Sequence, residues 1–145
     1  MIVLDTTVLV YAAGAGHPLR DPCRRLIQAV AGGALEATTT AEVVQEFVHV
    51  RARRRPRDDA VELGVAYAEL LAPLVTVTAE ELRAGLRLYR ETPEIGAFDA
   101  VLAAAAMSLN AAAVVSADRG FNAVRGLTHV VPDPESVERL VGPPA

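Results

Sequence analysis

Lysine is absent from this chain of 145 residues; all fourteen basic residues are arginine. The absence removes a P-loop lysine, a Schiff-base lysine, and the lysine that phosphoaspartyl phosphatases and receiver domains use. Tryptophan is also missing and aromatic residues make up only 4%, so a surface that stacks sugars or bases on aromatic platforms is not expected. A single cysteine, Cys23, excludes a disulfide framework within the chain and fits a reducing cytoplasm. No apolar run approaches the ~20 residues needed to span a bilayer. The longest, around Ala97–Met107, carries Asp99 and reads as a buried helix. The first apolar run has no basic leader, so a secretory signal is not expected. These absences point to a cytoplasmic protein with no membrane association. A net charge of −4 argues against a wholly basic nucleic-acid binder but leaves room for a local basic patch.

What is present is a chain of 52% hydrophobic residues, enough to bury a core, and of a length that suits one domain over 1–145. Ile2-Val3-Leu4 reads as a buried strand ending at Asp5. A short helix over Thr7–Ala13 and a second over Pro22–Ala31 follow, the latter stopped by Gly32-Gly33. Leu35–Thr38 is a second strand. Thr39 or Thr40 then caps a long helix reaching about Arg55, and Glu42 stands three residues after Thr39, in position for a capping box. Pro56 ends that helix and Asp58 caps the next, about Asp59–Leu71. Leu74–Thr78 is a strongly β-type run, and Thr78 with Glu81 opens a helix to about Arg90. Phe98–Leu109 is an alanine-rich helix, Ala113–Ser116 a buried strand, and Arg119–Val124 a short helix or turn. His129–Val131 is the last strand, Pro134–Val141 the last helix, and Gly142–Ala145 should fray. Short apolar strands alternating with helices imply an α/β three-layer sandwich around a mostly parallel sheet of four or five strands.

In open parallel sheets ligands sit beyond the carboxyl ends of the strands. Asp5 follows the first strand, and Asp118 lies two residues past Val114-Val115-Ser116. Asp99 stands in the first turn of its helix, where the helix dipole favours a carboxylate. Glu46 lies one turn after Glu42 on the same helix face, with Val43, Phe47 and Val50 marking an inward side. Taken singly, Asp5 or Asp99 reads as a helix cap and Glu46 as a solvated helix residue. Taken together, carboxylates converging on one edge repel unless a cation sits among them. Magnesium or manganese, hard ions that prefer carboxylate and water oxygens, are the chemical match.

Four segments carry a family resemblance. Ile2-Val3-Leu4-Asp5-Thr6-Thr7-Val8-Leu9 resembles the opening signature of PIN domains, and Thr40–Glu46 followed by Phe47 is similar to their second motif. Gly96-Ala97-Phe98-Asp99-Ala100 resembles the third, and Val115-Ser116-Ala117-Asp118-Arg119-Gly120-Phe121 the fourth. Order, spacing and length match over nearly the whole chain, and the compact size resembles the VapC toxins. The resemblance implies a magnesium-dependent endoribonuclease, with manganese as a possible substitute, acting as the toxin of a toxin–antitoxin pair. It implies that Asp5 and Asp99 hold the metal, and that Glu46 and Asp118 complete the catalytic set through water or a second ion. Thr6 and Ser116 would add hydroxyls at the rim, Glu42 would replace Glu46 if the helix register differed, and Asn122 is a weaker polar candidate. An RNA substrate, a cognate antitoxin protein and a homodimer are the partners implied.

Arg51, Arg53, Arg54, Arg55 and Arg57 form a dense basic run. It reads either as a solvated helix end or as a phosphate-binding patch for RNA. His17, His49 and His129 are widely spaced, make no zinc site with one cysteine, and read as surface or core residues. Two other readings compete. Asp5-Thr6-Thr7 superficially suits a phosphoaspartyl phosphatase, which the lack of lysine disfavours. A silent PIN-like module that binds RNA or a partner would have no need of clustered negative charge.

Overall fold

The computed structural model describes residues 1–143. The expected fraying of Gly142–Ala145 falls partly on 144–145, outside the described residues. Four short strands, β1 (Ile2–Leu4), β2 (Ala37–Thr38), β3 (Val114–Val115) and β4 (His129–Val130), form one sheet in the order β2-β1-β3-β4, with every neighbouring pair parallel. Val3 pairs with Thr38 on one side and Val114 on the other, which makes β1 a central strand. Ile2, Val3 and Leu4 are all buried, as a strand covered on both faces requires.

The helices are α1 (Thr6–Ala13), α2 (Arg20–Ala31), α3 (Ala41–Arg51), α4 (Arg57–Leu70), α5 (Ala79–Glu91), α6 (Ala97–Ser108) and α7 (Pro134–Val141), with a 3-10 turn over Arg119–Ala123. Helices α1–α4 and α7 pack as a chain of neighbours, while α5 and α6 pair with each other. This is the expected three-layer α/β sandwich. None of the helices among the described residues is long and apolar enough to cross a membrane.

The α5–α6 pair rests on small residues. Ala100, Ala103, Ala104 and Ala106 are buried on α6. On α5, Gly85 approaches so closely that an added Cβ would lie 2.6 Å from the Cα of Val101. On the other side Phe47 of α3 meets Tyr67 of α4 edge to face, with ring centroids 5.0 Å apart, a geometry that adds about 1 kcal/mol beyond area burial.

Three local expectations are corrected. The β-type run Leu74–Thr78 contributes only one bridge, Val75 to Thr40, and no fifth strand. Thr40 and Thr78 are both helix N-caps, so the two segments must diverge on either side of that contact. The cap of α3 is Thr40, whose hydroxyl accepts from Val43 N, so Thr39 and Glu42 form no capping box. Thr39 instead donates its buried hydroxyl to the Leu4 carbonyl at 2.6 Å, fastening β2 to β1. Helix α3 stops at Arg51, one turn short of Arg55, because Ala52–Arg55 turns toward Pro56. The capping box at Thr78 and Glu81 forms as expected.

Candidate active site

Because all four strands run the same way, their carboxyl ends open on one edge, and the acidic residues gather there. Asp5 leaves β1 and caps α1. Its Oδ2 accepts from the Thr7 backbone N–H at 3.4 Å, the Thr7 hydroxyl at 2.9 Å and the Ser116 hydroxyl at 2.6 Å. Only 3% of Asp5 is exposed. All of these bonds fall on one oxygen, and among the described residues Oδ1 accepts none.

Ser116, which leaves β3, is fully buried. While its hydroxyl donates to Asp5, it accepts from the Asp118 backbone N–H at 3.0 Å. The Thr7 hydroxyl accepts from Ala117 N at 3.0 Å, closing a small network between β1 and β3. Asp118 caps the 3-10 turn, its Oδ1 accepting from Gly120 N at 2.8 Å. Gly120 sits against the Glu94 carbonyl, where any Cβ would collide with backbone. A glycine in the fourth motif therefore lets the Asp118 turn close on the loop that leads into α6.

Glu46 is held from the second turn of α3 by the Thr6 hydroxyl, which donates to its Oε2 at 2.8 Å. Its Oε1 accepts nothing among the described residues. Asp99, in the first turn of α6, is half-buried, and its carboxyl is pushed up from 3.8 to about 7. Burial is the largest cause, followed by the negative charge of Asp5, the charge and hydrogen bonding of Asp118, and the charge of Glu46. Asp99 is thus the group on which the repulsion of the other three is felt. The four predicted acids are brought together.

Other predicted residues fall differently. Thr6 and Ser116 do carry hydroxyls to the cluster, one onto Glu46 and the other onto Asp5. Glu42 lies exposed in the first turn of α3, with no hydrogen bond to the cluster among the described residues. Asn122 does not reach the acids; its Oδ1 stands 2.8 Å from His129 Nδ1. Sequence reasoning overlooked Thr7, although a hydroxyl two residues after an N-capping aspartate is well placed to share its carboxylate. Arg51 leaves the basic run. It pairs with Asp59 at 2.7 Å and donates to the Ala13 carbonyl at 2.9 Å, and its hydrogen bond holds the Asp59 carboxyl below its usual range. Arg53, Arg54, Arg55 and Arg57 remain exposed.

Among the described residues, no three Asp, Glu, His or Cys side chains close into a ligand cage. The cluster is open: Asp5, Glu46 and Asp118 each spend one oxygen on the protein, and among the described residues the other accepts nothing. This suits magnesium or manganese better than a tightly caged ion, since magnesium is bound through one or two carboxylates and keeps several waters. Asp5 and Asp99 could hold such an ion, since a cation beside them would offset the charge repulsion that Asp99 receives from its neighbours.

The fold is a parallel α/β sandwich whose predicted acids gather at the carboxyl edge of the sheet, where such sheets bind their ligands. The PIN domain model matches residues 2–127, and the chain belongs to the PIN-domain family. It is 53% identical to Ribonuclease VapC7 of Mycobacterium tuberculosis, over 98% of this chain and 99% of that protein. Ribonuclease VapC13 of the same organism is 31% identical over 88% of this chain and 97% of its own length. Among solved structures, VapBC2 from Rickettsia felis bound to a DNA fragment from their promoter matches with a TM-score of 0.68 at 18% identity. That match covers 90% of this chain and 98% of the other, and it bears on the fold.

Proposed function

We propose that this chain is a divalent-metal-dependent endoribonuclease and the toxin of a toxin–antitoxin pair, acting in the cytoplasm. The observation that carries the reading is the convergence of Asp5, Glu46, Asp99 and Asp118 from four separate elements onto one sheet edge, with Asp99 held near 7 by burial and the other three charges. A structural cap needs no such company. The relatives named ribonuclease VapC support the RNA substrate, and the VapBC2 structure supports an antitoxin partner.

Asp5 and Asp99 would hold magnesium or manganese, which supplies Lewis-acid activation of water and neutralises charge developing on the phosphate. The chain's own residues do the rest. Thr7 and Ser116 fix one oxygen of Asp5 and so aim the other at the cluster. Thr6 does the same for Glu46, leaving its free oxygen to orient water or accept a proton. Asp118 closes the side next to the 3-10 turn. The exposed Arg53, Arg54, Arg55 and Arg57 would contact RNA phosphates by charge-assisted hydrogen bonds.

A second copy of the chain is proposed to cover the outer face of α5, where Leu82, Leu86 and Tyr89 lie on one helix face, each nearly half exposed. The direct test of the function is cleavage of a mixed RNA pool by purified protein with magnesium or manganese and with EDTA, alongside Asp99→Asn. Metal-dependent cleavage abolished in the variant is expected. Cleavage by the variant at the wild-type rate, or none by wild type with either metal, defeats the reading.

A further inference from the structure

The carbonyl of Ser116 has a bonding problem that the sequence creates. In the parallel ladder between β3 and β4, Val114 N–H donates to the Thr128 carbonyl and Ser116 N–H to the Val130 carbonyl. The alternation of a parallel pair then requires the N–H of residue 132 to donate back to the Ser116 carbonyl. Residue 132 is proline and has no N–H. Ser116 is fully buried, and a buried carbonyl left without a donor costs stability.

His129 fills the place. Its Nε2 lies 2.9 Å from the Ser116 carbonyl oxygen, which can only accept, so Nε2 carries the hydrogen. The ring is braced on two other sides. With the hydrogen on Nε2, Nδ1 accepts, and the Asn122 side-chain amide, whose two ends are interchangeable in position, donates to it through its NH2 group at 2.8 Å; the ring also lies against the buried Phe121 with centroids 5.5 Å apart. The same serine holds Asp5 through its hydroxyl and receives the Asp118 backbone N–H. His129 is therefore one bond away from the residue that sets two of the four carboxylates.

We propose that His129 is a positioning residue of the acidic site, donating to the Ser116 carbonyl the bond that Pro132 cannot make and so fixing the Ser116–Asp118 segment against Asp5. The proposal rests on the nuclease reading of that site. Groups that orient the ligands of a metal typically change its affinity or the activity by about 10- to 100-fold when lost. Here the effect acts through a serine rather than a ligand, so the low end applies.

The test measures manganese affinity by titration and RNA cleavage as kcat and KM separately, at a temperature well below the melting point. His129→Leu removes the donor at similar bulk; His129→Gln keeps an N–H donor at the position of Nε2. Expected for His129→Leu is manganese binding weaker by about tenfold and kcat lower by about tenfold, with KM for RNA little changed. His129→Gln should recover most of both. A folded His129→Leu with wild-type manganese affinity and kcat overturns the proposal, as does a His129→Gln as defective as the leucine variant. If His129→Leu does not fold, Asn122→Ala, at an exposed position, decides. A loss of severalfold in manganese affinity and kcat supports the positioning role, and no change in either overturns it. A wild type that neither binds manganese nor cleaves RNA overturns both this inference and the nuclease reading, whereas an active wild type with an indifferent His129→Leu overturns this inference alone.

Discussion

Replacing Asp99 by asparagine should stabilise the metal-free protein, against the usual sign for a polar residue in a first helical turn. The folded carboxyl titrates near 7 instead of 3.8. At 1.36 kcal/mol per pH unit this is about 4 kcal/mol between the protonation states, and water reaching this half-buried group reduces it to on the order of 2 kcal/mol. The direction follows from linkage. Because the folded value is raised, the contribution to stability is fully present below about pH 4 and is lost as the pH climbs through about 7. Above pH 7 the wild type therefore carries the full repulsion, and the asparagine variant does not. The opposing effect, loss of a carboxylate from a helix N-terminus, is worth only about 0.3–1 kcal/mol, so relief of repulsion wins.

The assay is a set of thermal melts from pH 4 to pH 8.5 in EDTA and in millimolar magnesium. In EDTA at pH 8 the variant should melt several degrees above wild type, at about 3 °C per kcal/mol for a chain of this size, and the gap should close toward pH 4. Magnesium at a hundred times its dissociation constant should stabilise the wild type by about 2.7 kcal/mol and the variant far less. A variant less stable than wild type in EDTA at pH 8, together with a wild type indifferent to magnesium, would refute the reasoning and return Asp99 to a plain first-turn carboxylate.

Asp5→Asn should gain less than Asp99→Asn in EDTA, because Asp5 is also the cap of α1 and accepts from both Thr7 and Ser116; an equal or larger rise in melting temperature would contradict this. Gly85→Ala should cost about 1–3 kcal/mol, since the added methyl meets the backbone of Val101; urea unfolding with an unchanged midpoint would disprove the close approach. Changing Arg53, Arg54 and Arg55 together to alanine should flatten the salt dependence of RNA binding by about 2 in log–log slope while leaving manganese affinity intact, and an unaltered slope would make these arginines a solvated helix end. Leu86→Asp should shift the protein toward a monomer by sedimentation without lowering its unfolding free energy by more than about 1 kcal/mol; an unshifted mass would remove α5 from any interface.

Much of the fold was legible because its signals are local. Ile2-Val3-Leu4 and Val114-Val115 are short apolar runs that only a strand buried on both faces explains, and Thr78 with Glu81 announces a helix start. The errors lie where two local signals compete for the same residue. Thr39 and Thr40 can each cap a helix, and the choice depends on Leu4, whose carbonyl takes the Thr39 hydroxyl from 35 positions away. Leu74–Thr78 has the composition of a strand, but its last residue is needed as a cap and its neighbour Thr40 is already one. Asp5 and Asp118 were legible because each follows a strand and Asp99 because it opens a helix, while Glu46, in the second turn of α3, was legible from its helix face and the motif resemblance. Of the residues that aim them, Thr6 and Ser116 were legible from the motifs, and Thr7 was overlooked although it bonds an aspartate only two residues away. His129 was not legible: it acts on Ser116 across 13 residues, and its role depends on an N–H that proline lacks three positions later.

The cap reading and the ligand reading of these aspartates, set as alternatives by the sequence, turn out to be compatible. Asp5 uses Oδ2 for the cap and the serine clamp and Glu46 uses Oε2 for Thr6, while among the described residues Oδ1 and Oε1 accept nothing. A carboxylate anchored by one oxygen is stiffer than one held by none, and a stiff ligand loses less freedom when an ion or water arrives. The helix start thus serves as the mount for the charged group: capping fixes the backbone, the hydroxyls fix the rotamer, and the second oxygen remains for chemistry. Asp99 has no such hydroxyl anchor among the described residues, and its pKa is raised by burial first and then by the charges of its neighbours. The difference divides the labour within the cluster. Asp5 and Glu46 are each fixed at one oxygen by hydroxyls of the fold, and Asp99 is the member whose protonation a cation bound at the proposed site would change most.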